Sequence, residues 1–64
     1  MKLREFNFNS LKNPYNITGL CIRKDGENIA EGFIGEVLRK IPIEFAELEI
    51  KETRWFFNIF VIEL

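Results

Sequence analysis

The stretch Asp25-Gly26-Glu27-Asn28-Ile29-Ala30-Glu31-Gly32-Phe33-Ile34-Gly35-Glu36-Val37-Leu38-Arg39-Lys40-Ile41 decides the fold. Asp25-Gly26 is a strong two-residue hairpin signal, so the chain after it is open to reading as another strand. The residues that follow favour a helix. Ile29, Ala30, Phe33, Ile34, Val37, Leu38 and Ile41 recur at spacings of one, three and four with polar, charged or Gly residues between them, as one face of an amphipathic helix requires. Asn28 suits the N-cap with Glu31 three residues on, and Glu36 and Lys40 form an i,i+4 pair. Pro42 disfavours helical backbone at Ile41 and closes the segment. Gly32 and Gly35 count against it, each costing about 1 kcal/mol relative to Ala in a helix interior. The pattern therefore predicts a helix over 28–41 that depends on packing.

On the N-terminal side, Leu3–Phe8 alternates with period two, Phe6 and Phe8 on one face and Glu5 and Asn7 on the other, and reads as a strand. Residues 9–16 carry Asn, Ser and Pro and read as a connecting loop. Ile17–Lys24 is rich in β-formers and reads as a second strand, Leu20 and Ile22 facing away from Cys21. On the C-terminal side, Ile43–Lys51 again alternates, Ala46, Leu48 and Ile50 against Phe45, Glu47, Glu49 and Lys51. Glu52-Thr53-Arg54 reads as a short connection. Trp55–Ile62 is apolar on both parities except for Asn58 and reads as a final strand. The expectation is an α+β fold of order β-β-α-β-β, an antiparallel sheet of about four strands with one helix on a face; the alternative is a small all-β barrel.

Sixty-four residues make one small domain, because a chain of this size buries only about 60% of its unfolded surface. At 47% apolar residues, seven of them Phe, it is too hydrophobic for a disordered segment. A single Cys forms no internal disulfide, and 1–10 lack an apolar signal-peptide core, which points to the cytoplasm. The longest apolar run, Ile59–Ile62, is far short of the roughly 20 residues of a membrane span, so no membrane is expected as a partner. Asn16-Ile17-Thr18 matches a glycosylation triplet and, without export, reads as a chance turn sequence.

Charge divides along the chain: residues 1–24 sum to +4 and residues 25–64 to −5. Either the halves form surfaces of opposite sign, or they interleave and neutralise each other. Enzymatic chemistry fails on inventory. There is no His, Cys21 lies between apolar residues and reads as a buried structural thiol, and the acids lack calcium-loop spacing. No catalytic residue, metal ligand or cofactor is expected. Gly32-Phe33-Ile34-Gly35 lies inside the predicted helix and is no phosphate loop.

Three binding surfaces remain. Glu44, Glu47, Glu49 and Glu52, on and beside the predicted 43–51 strand, form a carboxylate row at roughly 6 to 7 Å, close to phosphate spacing, suited to the basic groove of a nuclease or other nucleic-acid-handling protein; the same charges also serve solubility and edge protection. Phe45, Phe56 and Phe60 offer an apolar face for a partner or a homodimer, which the 9–16 loop with Leu11 and Tyr15 would otherwise cover. Arg4, Phe6, Phe8, Lys12, Tyr15, Arg23 and Lys24 interleave bases with aromatics in the manner of single-strand binders, but a pI of about 5.4 disfavours nucleic acid as the partner.

In size and composition, with a Glu-studded segment, surplus aromatics and no catalytic residues, the chain resembles the small inhibitors encoded by phages and mobile elements, of which anti-CRISPR proteins are the best-known group. That resemblance implies a non-enzymatic protein that blocks a host defence nuclease, with Glu44, Glu47, Glu49 and Glu52 as its contact residues.

Overall fold

A computed structural model of the chain describes residues 1–11 and 19–64. The Asp25-Gly26 signal wins over the helical spacing that follows it. Asp25 at φ 52° and Gly26 at φ 82° occupy left-handed backbone, as a type I′ turn requires, and close a hairpin between β1 (Gly19–Lys24) and β2 (Glu27–Phe33). Only then does the chain turn helical, in α1 (Ile34–Lys40). The junction is Gly32, whose φ of +151° strains any residue with a Cβ. Asn28 is therefore a strand residue; Phe33 takes the N-cap position, without a side-chain cap. The helical spacing was partly a coincidence of strand parity: Ala30 is buried while Ile29 and Phe33 are exposed, and Val37 is the buried centre of α1. The helix ends as expected, Ile41 N–H donating to the Val37 carbonyl ahead of Pro42.

The second correction lies in the apolar run. Trp55–Ile62 is not one strand but a hairpin of β3 (Glu52–Phe56) and β4 (Ile59–Glu63) around Phe57-Asn58. Asn58, the one polar interruption in the run, marks the turn. Glu52-Thr53-Arg54 is accordingly strand, not connection.

The four strands form an open mixed sheet in the order β2-β1-β4-β3. Both hairpins are antiparallel, but they meet through a parallel seam of β1 and β4, with Leu20 beside Phe60 and Ile22 beside Ile62. The α+β class, four strands and one helix stand; the wholly antiparallel sheet and the barrel do not. Since β2 and β3 are opposite edges, the chain between them crosses one sheet face, through α1 and a 3-10 turn at Ile43–Glu47.

The N-terminal segment completes the cover on that face and is also not the expected strand. Leu3–Glu5 and Phe8–Leu11 are 3-10 turns. Leu3 N–H donates to the Leu48 carbonyl and Ile50 N–H to the Met1 carbonyl, a single antiparallel bridge that replaces the strand expected over 43–51. Leu3, Leu20, Ile22, Ala30, Val37, Phe60, Ile62 and Leu64 form the core, with Phe6, Phe8, Leu11 and Phe45 packed against it. Phe6 and Phe8, expected to share one strand face, both pack against the core, reached through turns. The strand start at Ile17, Lys12, Tyr15 and the Asn16-Ile17-Thr18 triplet lie outside the described residues.

Candidate functional site: an aromatic hairpin tip on an open sheet edge

The other face of the sheet has no helix or 3-10 turn over it among the described residues. The strand register places three rows there. At the end carrying the β3–β4 turn the row is Phe33, Gly19, Ile59 and Phe56. The middle row is Glu31, Cys21, Val61 and Arg54. At the far end stand Asn28, Arg23, Glu63 and Glu52.

The far row is held by one ion pair across the parallel seam and by a second from Arg54 within the β3–β4 hairpin. Glu63 accepts from Arg23 Nε at 3.0 Å and from an Arg54 guanidinium nitrogen at 2.9 Å. Arg23 also donates to the Gly26 carbonyl at 2.7 Å and to Asn28 Oδ1, tying the β1–β2 turn to the network. Hydrogen bonds from Arg54, then the charges of both arginines, hold the Glu63 carboxyl below the usual glutamate value. Glu52 is the weakly satisfied member, its carboxylate at 4.0 Å from Arg54.

Between the rows is a shallow concavity of about 180 Å³, lined among others by Cys21, Asn28, Arg54, Phe56 and Val61. The Cys21 thiol is buried, with Asn28 Oδ1 at 3.6 Å. Burial and the nearby Glu31 push its pKa up, which keeps it protonated and unreactive. Among the described residues no group of three His, Cys, Asp or Glu side chains is placed to hold a metal ion.

The exposed apolar chemistry gathers at the β3–β4 turn. Trp55 is 54% exposed, Phe56 61% and Phe57 85%. Central strand β4 anchors the hairpin through Phe60 and Ile62, while every residue of β3 is exposed. Trp55 rests edge-on against Phe60 with ring centroids 5.0 Å apart, and Phe56 meets Phe57 at 4.7 Å. Phe57 has φ 55°, left-handed backbone that a bulky L-residue adopts only at a cost. Phe33, at the same end of the sheet, is also exposed and borders a second hollow with Gly19, Asn58 and Ile59.

The apolar trio expected from the sequence is split by this arrangement. Phe60 is only 7% exposed and belongs to the core, Phe45 packs against the core, and Phe56 alone stands free on the open face. Trp55 stands at the edge of the opposite face, beside Phe60, and Phe57 in the turn itself, so the exposed aromatics cluster around the hairpin end, because the turn at 57–58 resets the parity assumed for a continuous strand.

The four carboxylates do not form a strand-spaced row. Glu44 and Glu47 sit in the 43–47 turn, Glu49 in the bridge to Lys2, and Glu52 opens β3. Glu47 accepts from Lys2 Nζ at 2.9 Å and pairs with Arg4 at 2.8 Å, and the hydrogen bond from Lys2 leads in lowering its pKa. Glu49 pairs with the N-terminal amine at 3.0 Å. Glu44 and Glu52 remain exposed. Among the described residues the bases of the N-terminal half are engaged in turn, with Arg23 on Glu63 and Lys24 on Asp25. Of the two charge arrangements open from the sequence, the halves interleave.

No helix among the described residues is long and apolar enough to cross a membrane. Compared with known proteins, the chain matches no family model, no curated protein and no solved structure.

Proposed function

We propose that this chain is a non-enzymatic protein-binding module that docks through the β3–β4 hairpin, with Trp55, Phe56 and Phe57 as its anchors. The observation that carries the reading is Phe57, a large aromatic held almost fully exposed in a backbone conformation that suits glycine. Among the described residues its one ring contact is with Phe56, itself exposed, and strained residues of this kind cluster where binding needs them. Exposed Trp and Phe beside Arg54 also match the residue types that dominate protein–protein hot spots. A protein fits better than a nucleic acid, because Arg4, Arg23, Lys2 and Lys24 already face carboxylates of the same chain.

An inhibitor of a nuclease, the function implied by the resemblance in size and composition, is one form of such a module. In this reading it grips its target with the aromatic tip and not with Glu47 and Glu49, whose charges are engaged internally. The single Cys remains the argument for a cytoplasmic setting.

The test is capture from lysate by immobilised wild type, a Trp55→Ala/Phe57→Gly variant and a Glu44→Lys/Glu47→Lys variant, each checked for folding by circular dichroism. The expected result is a defined partner whose recovery falls at least tenfold with the tip variant and persists with the acid variant. The reverse pattern rejects the aromatic site in favour of the acidic one.

A further inference from the structure

The outer edge of β3 identifies one specific occupant. β3 ends the sheet, and all five of its residues are exposed. An edge of this kind is a template for another strand unless its side chains oppose pairing. In β3 they favour pairing with itself. Glu52 and Arg54 point to the open face, two residues apart, with Thr53 between them on the other face. Two-fold antiparallel pairing centred on Thr53 sets Glu52 of each copy opposite Arg54 of the other, with Thr53 opposite Thr53.

Directly opposed Cβ atoms in such a pair are about 4.5–5.5 Å apart, close enough for both ion pairs to close. Within its own chain Glu52 reaches Arg54 only at 4.0 Å, whereas Arg54 is already anchored on Glu63 at 2.9 Å. The second copy thus gives Glu52 a closer arginine than the one its own chain holds at 4.0 Å. Centring one residue on, at Arg54, would place the two arginines face to face, so charge selects the register.

We propose that a second copy of this chain adds to β3 in this register, making one continuous eight-stranded sheet through an isologous interface. The inference rests on the β3–β4 hairpin being the docking surface and names what docks there.

Sedimentation equilibrium across a concentration series tests it. Wild type is expected to dimerise reversibly. Glu52→Arg, which opposes like charges and leaves the Arg54–Glu63 contact in place, should weaken the dimer at least tenfold, as should Arg54→Glu. An equimolar mixture of the two variants pairs each introduced charge with its opposite and should restore association to within about threefold of wild type. Dimerisation of Glu52→Arg at wild-type strength overturns the inference; this variant decides the matter even if Arg54→Glu fails to fold. A mixture of two folded variants that associates no better than its components overturns it too. A wild type that stays monomeric while Phe57-dependent capture of another protein persists overturns the second-copy inference alone. Loss of both overturns the reading of the tip as well.

Discussion

The two hairpins share a plan and differ in what they leave outside. In each, the inner strand lies in the parallel seam and buries its alternate residues, Leu20 and Ile22 in β1, Phe60 and Ile62 in β4, while the outer strand forms an edge of the sheet. The β1–β2 hairpin closes on Asp25-Gly26, residues suited to positive φ, and its outer strand carries Glu27 and Glu31 with no base. Antiparallel self-pairing of β2 about Ile29 sets these acids against each other, and no register offers an attractive charge pair. The β3–β4 hairpin closes on a strained phenylalanine, and its outer strand carries one acid and one base in self-complementary order. One edge is protected and the other is presented, a difference that composition and net charge conceal.

Breaking the shared half of the plan has the largest expected effect. Ile22 and Ile62 face each other across the seam and are fully buried, so truncation of either to Ala should cost about 2–5 kcal/mol. In a domain this small that loss approaches its whole stability. Ile29→Ala, on the exposed face of β2, should cost less than about 1 kcal/mol. Urea unfolding followed by circular dichroism measures all three, and equal losses would contradict the division into inner and outer strands.

The inner strand of the first hairpin was also the legible one. Leu20 and Ile22 declare their face by period two, Asp25-Gly26 marks a turn and Pro42 the end of the helix, whereas Phe60 and Ile62 lie in a run apolar on both parities whose buried face only the turn at Phe57-Asn58 decides. What misled was Ile29 and Phe33, exposed residues of an edge strand that completed a helical spacing with Ile34 and Val37. The local evidence against it was present in Gly32, Gly35 and the hairpin signal. The acidic row failed for a different reason: the partners of Glu47 and Glu49 are Lys2, Arg4 and the N-terminal amine, more than forty residues away, and no local pattern encodes a contact of that separation. Likewise Phe57 became a candidate only when Asn58 was seen to turn the chain.

The two turns give the next contrast, with opposite signs. Gly26→Ala forces a Cβ into backbone at φ 82° and should destabilise by about 1–2 kcal/mol. Phe57→Gly relieves the strain at φ 55°, and after the added freedom of glycine in the unfolded chain a net stabilisation of about 0.5–1 kcal/mol should remain. The same variant should lose binding. Thermal melts paired with the capture assay separate the two effects; a Phe57→Gly protein that is less stable than wild type would mean that the ring supports the fold, and the tip would lose its claim as a site.

The smallest effect tests what joins the hairpins. Arg23 in one and Arg54 in the other both reach Glu63, whose folded-state pKa lies below its ordinary value of 4.5. A carboxylate with a depressed folded pKa adds stability above its unfolded pKa and loses it as pH falls through the folded one. The contribution should therefore be complete at neutral pH, begin to decline near 4.5, and vanish at lower pH. Glu47 and Asp25 shift in the same direction, but their pairs are more open to water than Glu63, whose side chain is 20% exposed, and solvent weakens them further. Glu63→Gln should consequently lower stability at pH 7 and flatten its fall on acidification more than Glu47→Gln does. If the two variants titrate alike, the Arg23–Glu63–Arg54 network contributes no more than an ordinary surface pair, and apolar packing across the parallel seam is what holds the presented hairpin to the protected one.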